Sequence, residues 1–119
     1  VNDHQWVENE FLPRIQQRGA EIIKARGASS ASSAARAACE TVRAVEHPTR
    51  SGDVFNAAIM SDGAYNIPPG IFSGFPLISD GLGNIEIVRD YVLSDFAKNG
   101  LKKTANELLE EKNLVKDLI

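Results

Sequence analysis

The segment QQRGAEIIKARGASSASSAA, residues 16–35, organises the chain, because one helical pattern ends inside it and another begins. Gly27 suits the left-handed position just past a helix C-terminus, since glycine has no Cβ to clash there. Ser29 or Ser30 suits the N-cap of the next helix, where a hydroxyl accepts a hydrogen bond from an unpaired backbone N–H. The segment therefore predicts a helix N-terminus lined with hydroxyls and amides, a favourable place for a carboxylate. A plain cap with small packing residues is the alternative, and the pattern alone favours it.

The first helical pattern precedes Gly27. It runs from residue 5 to residue 26, with apolar side chains mostly three, four or seven residues apart and Asn2 or Asp3 as its cap. Pro13 removes an amide, and Gly19 costs about 1 kcal/mol relative to alanine inside a helix. We therefore expect two helical pieces that meet near Gly19.

The second helical pattern runs from residue 30 to residue 45. Its stripe is made of small and apolar side chains: Ala31, Ala34, Ala38, Val42 and Val45. Small side chains let another backbone approach closely, so we expect this helix to pack between neighbours. Cys39 lies in the same alanine-rich stretch, where a small buried filler is expected rather than a nucleophile.

The remaining chain predicts three strands and a last helix. Three strands are expected, at residues 54–60, 72–79 and 85–89, with a long turn between the first two. The loop between the last two, at residues 80–84, is so short that it requires antiparallel pairing. Pro76 should then occupy an edge or a bulge, because proline donates no ladder hydrogen bond. After Ser94 a helix is expected to place Leu101, Ala105, Leu108 and Val115 on one face. The predicted fold class is α+β: a three-stranded antiparallel sheet packed with helices.

Composition limits the possible functions. The 119 residues fit one domain, and 43% apolar with 24% charged residues is ordinary for a soluble globular chain. No basic stripe interleaved with aromatic residues is present, so nucleic acid is not expected as a partner. The single cysteine excludes an internal disulfide and a cysteine-rich metal site. No signal peptide or long apolar run directs the chain to a membrane, so a cytoplasmic protein is expected.

The residues do not form a recognisable active site by themselves. His4 and His47 lack metal-ligand spacing to a second histidine or cysteine, and each is expected to be exposed or capping. The chain has no phosphate-binding loop, and its Gly81-Leu82-Gly83 run falls in a hairpin. From the residues alone, the sequence predicts a soluble α+β domain with a serine-rich helix N-terminus and no metal site.

A resemblance to a known family adds a function. Residues 16–35 closely resemble the corresponding segment of cytosolic-type NAD-dependent malate dehydrogenases. The resemblance continues through SDGAYNIP at residues 61–68, FP at residues 75–76 and TANELLEE at residues 104–111. The specific part is the Arg-Gly and Ser-Ser-Ala run, where lactate dehydrogenases look different. Asn66 departs from the family, which more often has glycine after the tyrosine.

The resemblance implies that residues 1–119 are the C-terminal, substrate-binding domain of malate dehydrogenase, an oxidoreductase of the tricarboxylic acid cycle. In that family NAD binds an N-terminal Rossmann domain, which is absent from this chain, as are the catalytic His–Asp pair and the arginines that hold the dicarboxylate. The chain alone is therefore expected to hold no catalytic residue, to bind no NAD and to be inactive. By the same resemblance Ser30 and Ser29 line the substrate pocket and Ala34 lies on the nicotinamide side.

The resemblance also implies partners. These are the Rossmann half of the same enzyme, a second copy in a homodimer, and malate or oxaloacetate. Two alternatives stay open: a domain of another 2-hydroxy acid dehydrogenase, or a non-catalytic binding or assembly module of the same fold.

Overall fold

The N-terminal part of the chain is helical. The computed structural model describes residues 3–118, in two units, Val1–Cys39 and Glu40–Ile119. One α-helical turn, α1 (His4–Trp6), leads through a π-helical stretch, Val7–Phe11, into α2 (Leu12–Arg26). The Asp3 carboxylate caps α1 by accepting from the Trp6 backbone N–H at 2.9 Å. The alternative cap, Asn2, lies outside the described residues.

The break expected near Gly19 is wrong, because α2 continues through that residue as regular α-helix. The irregular part lies earlier, in the π-helical stretch. Pro13 falls in the first turn of α2, where a missing N–H costs least. A single glycine costs about 1 kcal/mol, which the rest of a helix of this length tolerates.

Gly27 and its surroundings follow the prediction. Gly27 has a left-handed φ of +73°, and its N–H donates to the Ile23 oxygen at 2.8 Å. Helix α3 (Ala31–Glu46) begins one residue after the predicted start. At its C-terminus His47 Nδ1 lies 3.0 Å from the Arg43 oxygen, so the capping role expected for this histidine is confirmed.

The second unit contains the sheet. Strands β1 (Phe55–Met60), β2 (Phe72–Ser79) and β3 (Ile85–Ile87) pair antiparallel in the order β1-β2-β3. The predicted α+β class is confirmed. Because β2 is the middle strand, Pro76 sits in the centre of the sheet, and the expected edge or bulge is wrong.

The position of Pro76 explains why the sheet accepts it. Leu77 pairs with Ile87, so Pro76 stands opposite Val88 and accepts from the Val88 N–H at 2.9 Å. In an antiparallel ladder the reciprocal bond would need the N–H that proline lacks. Strand β3 ends at Ile87, short of the predicted residue 89, and the Val88 oxygen accepts from the Tyr65 hydroxyl instead. Pro76 therefore lies in the central strand at the position where the neighbouring strand β3 has already ended.

The core lies between the sheet and α4 (Asp95–Leu114). Ser94 caps α4 by accepting from the Ala97 N–H at 3.2 Å. The buried apolar residues are Ala64, Ile67, Ile71, Phe75, Leu77 and Ala105. Leu101 and Leu108 pack against them as predicted. Val115 follows the end of α4 and is 42% exposed, so its predicted place on the buried face is wrong.

Candidate functional site

The serines expected to line the site lie between the first two long helices. Ser29 belongs to the short connection after Gly27, and Ser30 directly precedes α3, the position of an N-cap. Ser30 is half-buried, whereas Ser29 is exposed. The helix start therefore holds the Ser30 side chain in a fixed region next to the unpaired amides of the first turn.

Hydroxyl groups interact with one another at this helix start. The oxygens of Ser30 and Ser33 are 3.3 Å apart, and the Ser33 hydroxyl donates to the Ser30 backbone oxygen at 3.4 Å. Both distances are at the long end for hydrogen bonds between hydroxyls and oxygens. Each hydroxyl offers one donor and two acceptor positions, so Ser30 keeps capacity for a further partner.

Ala34 lies one helical turn after Ser30. Ser30 directly precedes α3 and Ala34 is the fourth residue of that helix, so both belong to the start of α3. Ala34 is exposed, and its side chain is a single methyl group. Ser29, Ser30 and Ala34 therefore all lie within the first turn of α3 and the two residues before it.

The charge around this helix start favours an anion. The first turn of α3 has no acidic residue, and the last turn of α2 carries Lys24 and Arg26. The N-terminus of α3 adds the partial positive charge of the helix dipole. This arrangement can attract and hydrogen-bond a carboxylate.

The described part of the chain offers no metal site. Among residues 3–118 no group of histidine, cysteine, aspartate and glutamate side chains could hold a metal ion. His4 is exposed, as expected, and His47 is held at the opposite end of α3. Over the same residues, no helix has both the length and the apolar character that a membrane crossing requires.

The lowered carboxyl pKa values belong to turns. A hydrogen bond from Arg89, helped by the Ala64 N–H, keeps the pKa of Asp62 below its ordinary 3.8. The Asn84 side chain and the Leu82 N–H do the same for the pKa of Asp80. A general acid or base working near neutral pH needs a carboxyl pKa moved upward, so neither aspartate fits that role.

Cys39 corrects one expectation. It is exposed, so the buried filler predicted for it is wrong. Most of the stripe is exposed, including Val42 at 60%, and only Val45 at its end is half-buried. The stripe therefore has the small side chains of a packing face, but most of that face is exposed in the structure.

The second unit contains a cleft that the sequence analysis missed. It has a volume of about 890 Å³ and lies between the turn at residues 63–68, the segment at residues 89–93 and α4. Lys98 and Lys102 line it from α4, one turn apart. Both lysines can be read from the sequence of this helix, but nothing in the sequence indicates the opposing wall.

Comparisons with known proteins identify the family that the chain resembles. The family model described as lactate/malate dehydrogenase, alpha/beta C-terminal domain, matches residues 1–119. A malate dehydrogenase of Magnetococcus marinus is 47% identical over the full chain, which covers 36% of that relative. A solved malate dehydrogenase of Naegleria fowleri superposes with a TM-score of 0.90 at 40% identity, over 99% of this chain and 36% of that one.

A lactate dehydrogenase structure is also similar. The Trichomonas vaginalis enzyme, solved in complex with NADH and oxamate, superposes with a TM-score of 0.86 at 29% identity. The match covers 98% of this chain and 36% of that one. The chain thus spans about a third of the length of the relatives it matches.

Proposed function

Because the chain belongs to the lactate/malate dehydrogenase family as its C-terminal domain, we propose that it is the substrate side of an NAD-dependent malate dehydrogenase. That enzyme interconverts malate and oxaloacetate by hydride transfer. The observation that carries the proposal is the 47% identity to a malate dehydrogenase over all 119 residues. The resemblance of residues 16–35 to the cytosolic type supports the same substrate.

In this proposal the start of α3 forms one wall of the substrate pocket. The Ser30 hydroxyl donates to a substrate oxygen, and the amides at the helix N-terminus favour its negative charge. Ser29 lies beside it as a second hydroxyl. Ala34, in the first turn of α3, leaves room for the nicotinamide side of the cofactor.

Hydride transfer needs more than one wall of a substrate pocket. The reacting carbons must be held in near contact, and a base must take the hydroxyl proton. Among residues 3–118 no histidine–aspartate pair is present at the serine site, and Gly81 and Gly83 belong to the β2–β3 hairpin rather than to a phosphate-binding turn. The residues present fit only a lateral contact to NAD, through Ala34. We assign the base, the cofactor site and the arginines that hold the substrate to an N-terminal Rossmann half.

Uncovered apolar side chains support the proposed partners. Four large apolar side chains of the first unit are exposed: Trp6 in α1, Phe11 in the π-helical stretch, and Ile15 and Ile23 in α2. Exposed apolar surface of this kind marks association sites. We assign this surface to contacts with the Rossmann half and with a second copy of the chain in a homodimer. In this proposal the whole enzyme works in the cytoplasm, in the tricarboxylic acid cycle.

A hybrid enzyme tests the proposal. This chain replaces the matching C-terminal part of the Magnetococcus marinus malate dehydrogenase, and NADH oxidation is followed with oxaloacetate. We expect activity from the hybrid and none from the 119-residue chain alone. A hybrid that folds and binds NADH but does not reduce oxaloacetate would contradict the proposal.

The second candidate is a domain of another 2-hydroxy acid dehydrogenase. It is favoured by the similarity to the Trichomonas lactate dehydrogenase. The hybrid carries the substrate-selecting arginines of the Magnetococcus marinus enzyme, so it does not separate the two candidates. The substrate preference of the full-length protein separates them. A full-length protein that reduces pyruvate in preference to oxaloacetate would establish this alternative.

A further inference from the structure

We propose that the cleft in the second unit binds an organic anion: a carboxylate carried on a flat apolar body. The cleft is formed by the turn at residues 63–68, the segment at residues 89–93 and one face of α4. All of its lining residues belong to the unit Glu40–Ile119. The site does not depend on the reaction that the protein takes part in.

The floor of the cleft is apolar. Ala64, Ile67 and Ala105 line it and are themselves buried, and the half-buried Leu101 joins them from α4. The side chains of Tyr65 and Tyr91 add aromatic surface. A ligand seated here would cover apolar surface that water now contacts, which favours a hydrophobic body over a small polar one.

One wall of the cleft is held in place by the fold. The Ser61 hydroxyl donates to the Ile67 oxygen at 2.8 Å, and the Tyr65 hydroxyl donates to the Val88 oxygen. Asp62 accepts from the Ala64 N–H and pairs with Arg89, which tethers the turn to the segment after β3. A wall that is already ordered does not have to be ordered on binding, so less affinity is lost.

The charge of the cleft is positive in a chain whose formal net charge is −3. Its ionisable lining groups near neutral pH are Arg89, Lys98 and Lys102, and no acidic residue lines it. Arg89 is paired with Asp62, and Lys98 with Asp95 at 3.1 Å. Lys102 has no ion pair among residues 3–118, so its ammonium is available to a ligand.

Amide side chains complete the polar edge. Asn66, Asn99 and Asn106 line the cleft, and each amide can donate to a carboxylate oxygen. An apolar floor with a few polar groups and one available cation is the usual composition of a small-molecule site, and 890 Å³ falls within the usual range of about 300–1,000 Å³. Malate and oxaloacetate lack the apolar body, so the cleft should not bind them.

Naphthalene-2-carboxylate is the probe, and naphthalene-2-carboxamide is its uncharged match. We titrate each into the full 119-residue chain and follow backbone amide signals by NMR. The carboxylate should bind saturably, with a dissociation constant of about 1 mM or below, and shift the signals of residues 63–68 and 98–106. The carboxamide should bind more weakly, and added salt should weaken only the carboxylate.

Neighbouring lysines supply the matched variants. Lys102→Glu reverses the charge inside the cleft and should weaken carboxylate binding roughly fivefold or more. Lys103→Glu changes the net charge equally but lies outside the lining, so binding should stay within about twofold. Asn106→Asp is a second lining variant, to be used if Lys102→Glu does not fold. It should also weaken binding of the carboxylate.

Three results would overturn the proposal. They are absence of saturable carboxylate binding, equal binding of the carboxamide, and equal weakening by Lys102→Glu and Lys103→Glu. Malate binding with shifts at the same residues would overturn the requirement for an apolar body.

Discussion

The Tyr65 hydroxyl donates a hydrogen bond to the backbone oxygen of Val88, across 23 residues of sequence. Pro76 lies opposite Val88 on the neighbouring strand but has no N–H to donate to this oxygen. Tyr65 itself has a left-handed φ of +54°, which the turn imposes on a residue that is not glycine. One side chain therefore connects the strained turn to the end of β3.

Removing this hydroxyl should destabilise the sheet end. We expect Tyr65→Phe to lower the free energy of unfolding by about 1–2 kcal/mol, because the Val88 oxygen loses its donor in a partly buried place. Tyr91→Phe is the control: that side chain is 49% exposed, and its change should stay within about 0.5 kcal/mol. Urea unfolding measures both, and equal effects would contradict the role assigned to Tyr65.

Two hairpin glycines should respond differently to alanine. Gly81 and Gly83 both have positive φ, +74° and +101°, so each alanine costs about 1–2 kcal/mol in backbone strain. A Cβ at Gly81 would also lie 2.6 Å from Pro48 Cδ, whereas one at Gly83 meets nothing within 4 Å. We expect Gly81→Ala to cost about 1–3 kcal/mol more than Gly83→Ala by thermal or urea unfolding. Similar costs would show that the Pro48 contact relaxes.

The pKa of Asp80 makes a stability contribution with a defined pH range. Hydrogen bonds from Asn84 and Leu82 favour the charged carboxylate and lower the pKa of Asp80 below 3.8 in the folded chain. A lowered folded-state pKa stabilises the protein above the unfolded-state pKa, and this contribution is lost as pH falls through the folded value. We expect Asn84→Ala to raise the pKa of Asp80 toward 3.8, measured by NMR titration of its carboxyl carbon. An unchanged pKa would assign the effect to the backbone amides.

Ser30 should affect the kinetics of the hybrid enzyme. Ser30→Ala removes the proposed hydrogen bond to the anionic substrate, so kcat/KM for oxaloacetate should fall roughly tenfold while NADH binding stays unchanged. Ser32→Ala changes an exposed serine at the second position of α3; it is the control and should leave kinetics unchanged. A lowered thermal midpoint with normal kinetics would show that Ser30 only caps the helix, at about 1 kcal/mol.

The 119-residue chain alone should not bind NADH. Its glycines with positive φ lie at the end of α2, in turns and in the β2–β3 hairpin, and the resemblance assigns the phosphate-binding turn to an N-terminal Rossmann half. Isothermal titration with NADH should show no saturable heat, with the hybrid as the positive control. Saturable binding by the chain alone would mean that it contributes more to the cofactor site than Ala34.

Local signals in the sequence predicted the elements well, because they depend on neighbouring residues. Gly27 marked the end of α2 through its freedom to adopt positive φ, and Ser94 marked the start of α4 through its hydroxyl. Asn66 adopts φ +60°, a left-handed conformation that asparagine accepts more readily than most other residues with a Cβ. These positions are decided within a few residues of chain.

Features that depend on distant partners were not predictable in the same way. Pro76 is tolerated in the middle strand only because β3 ends beside it, which its own neighbours in sequence do not show. Cys39 and the alanine stripe were expected to pack against neighbours, but Cys39 is exposed and α3 has no buried residue. The cleft beside α4 likewise needed the opposing turn to be placed first.

The absence of buried residues in α2 and α3 has a consequence for hydrogen exchange. Short helices without packing are marginal in water, so their amides open by local fraying and exchange quickly. Amides of β2 lie beside the fully buried Phe75 and Leu77 and open only with the whole sheet. In the separate chain the proposed substrate wall would therefore be its least protected part. Binding of a partner to α2 and α3 would then reduce this local opening and hold Ser30 in place.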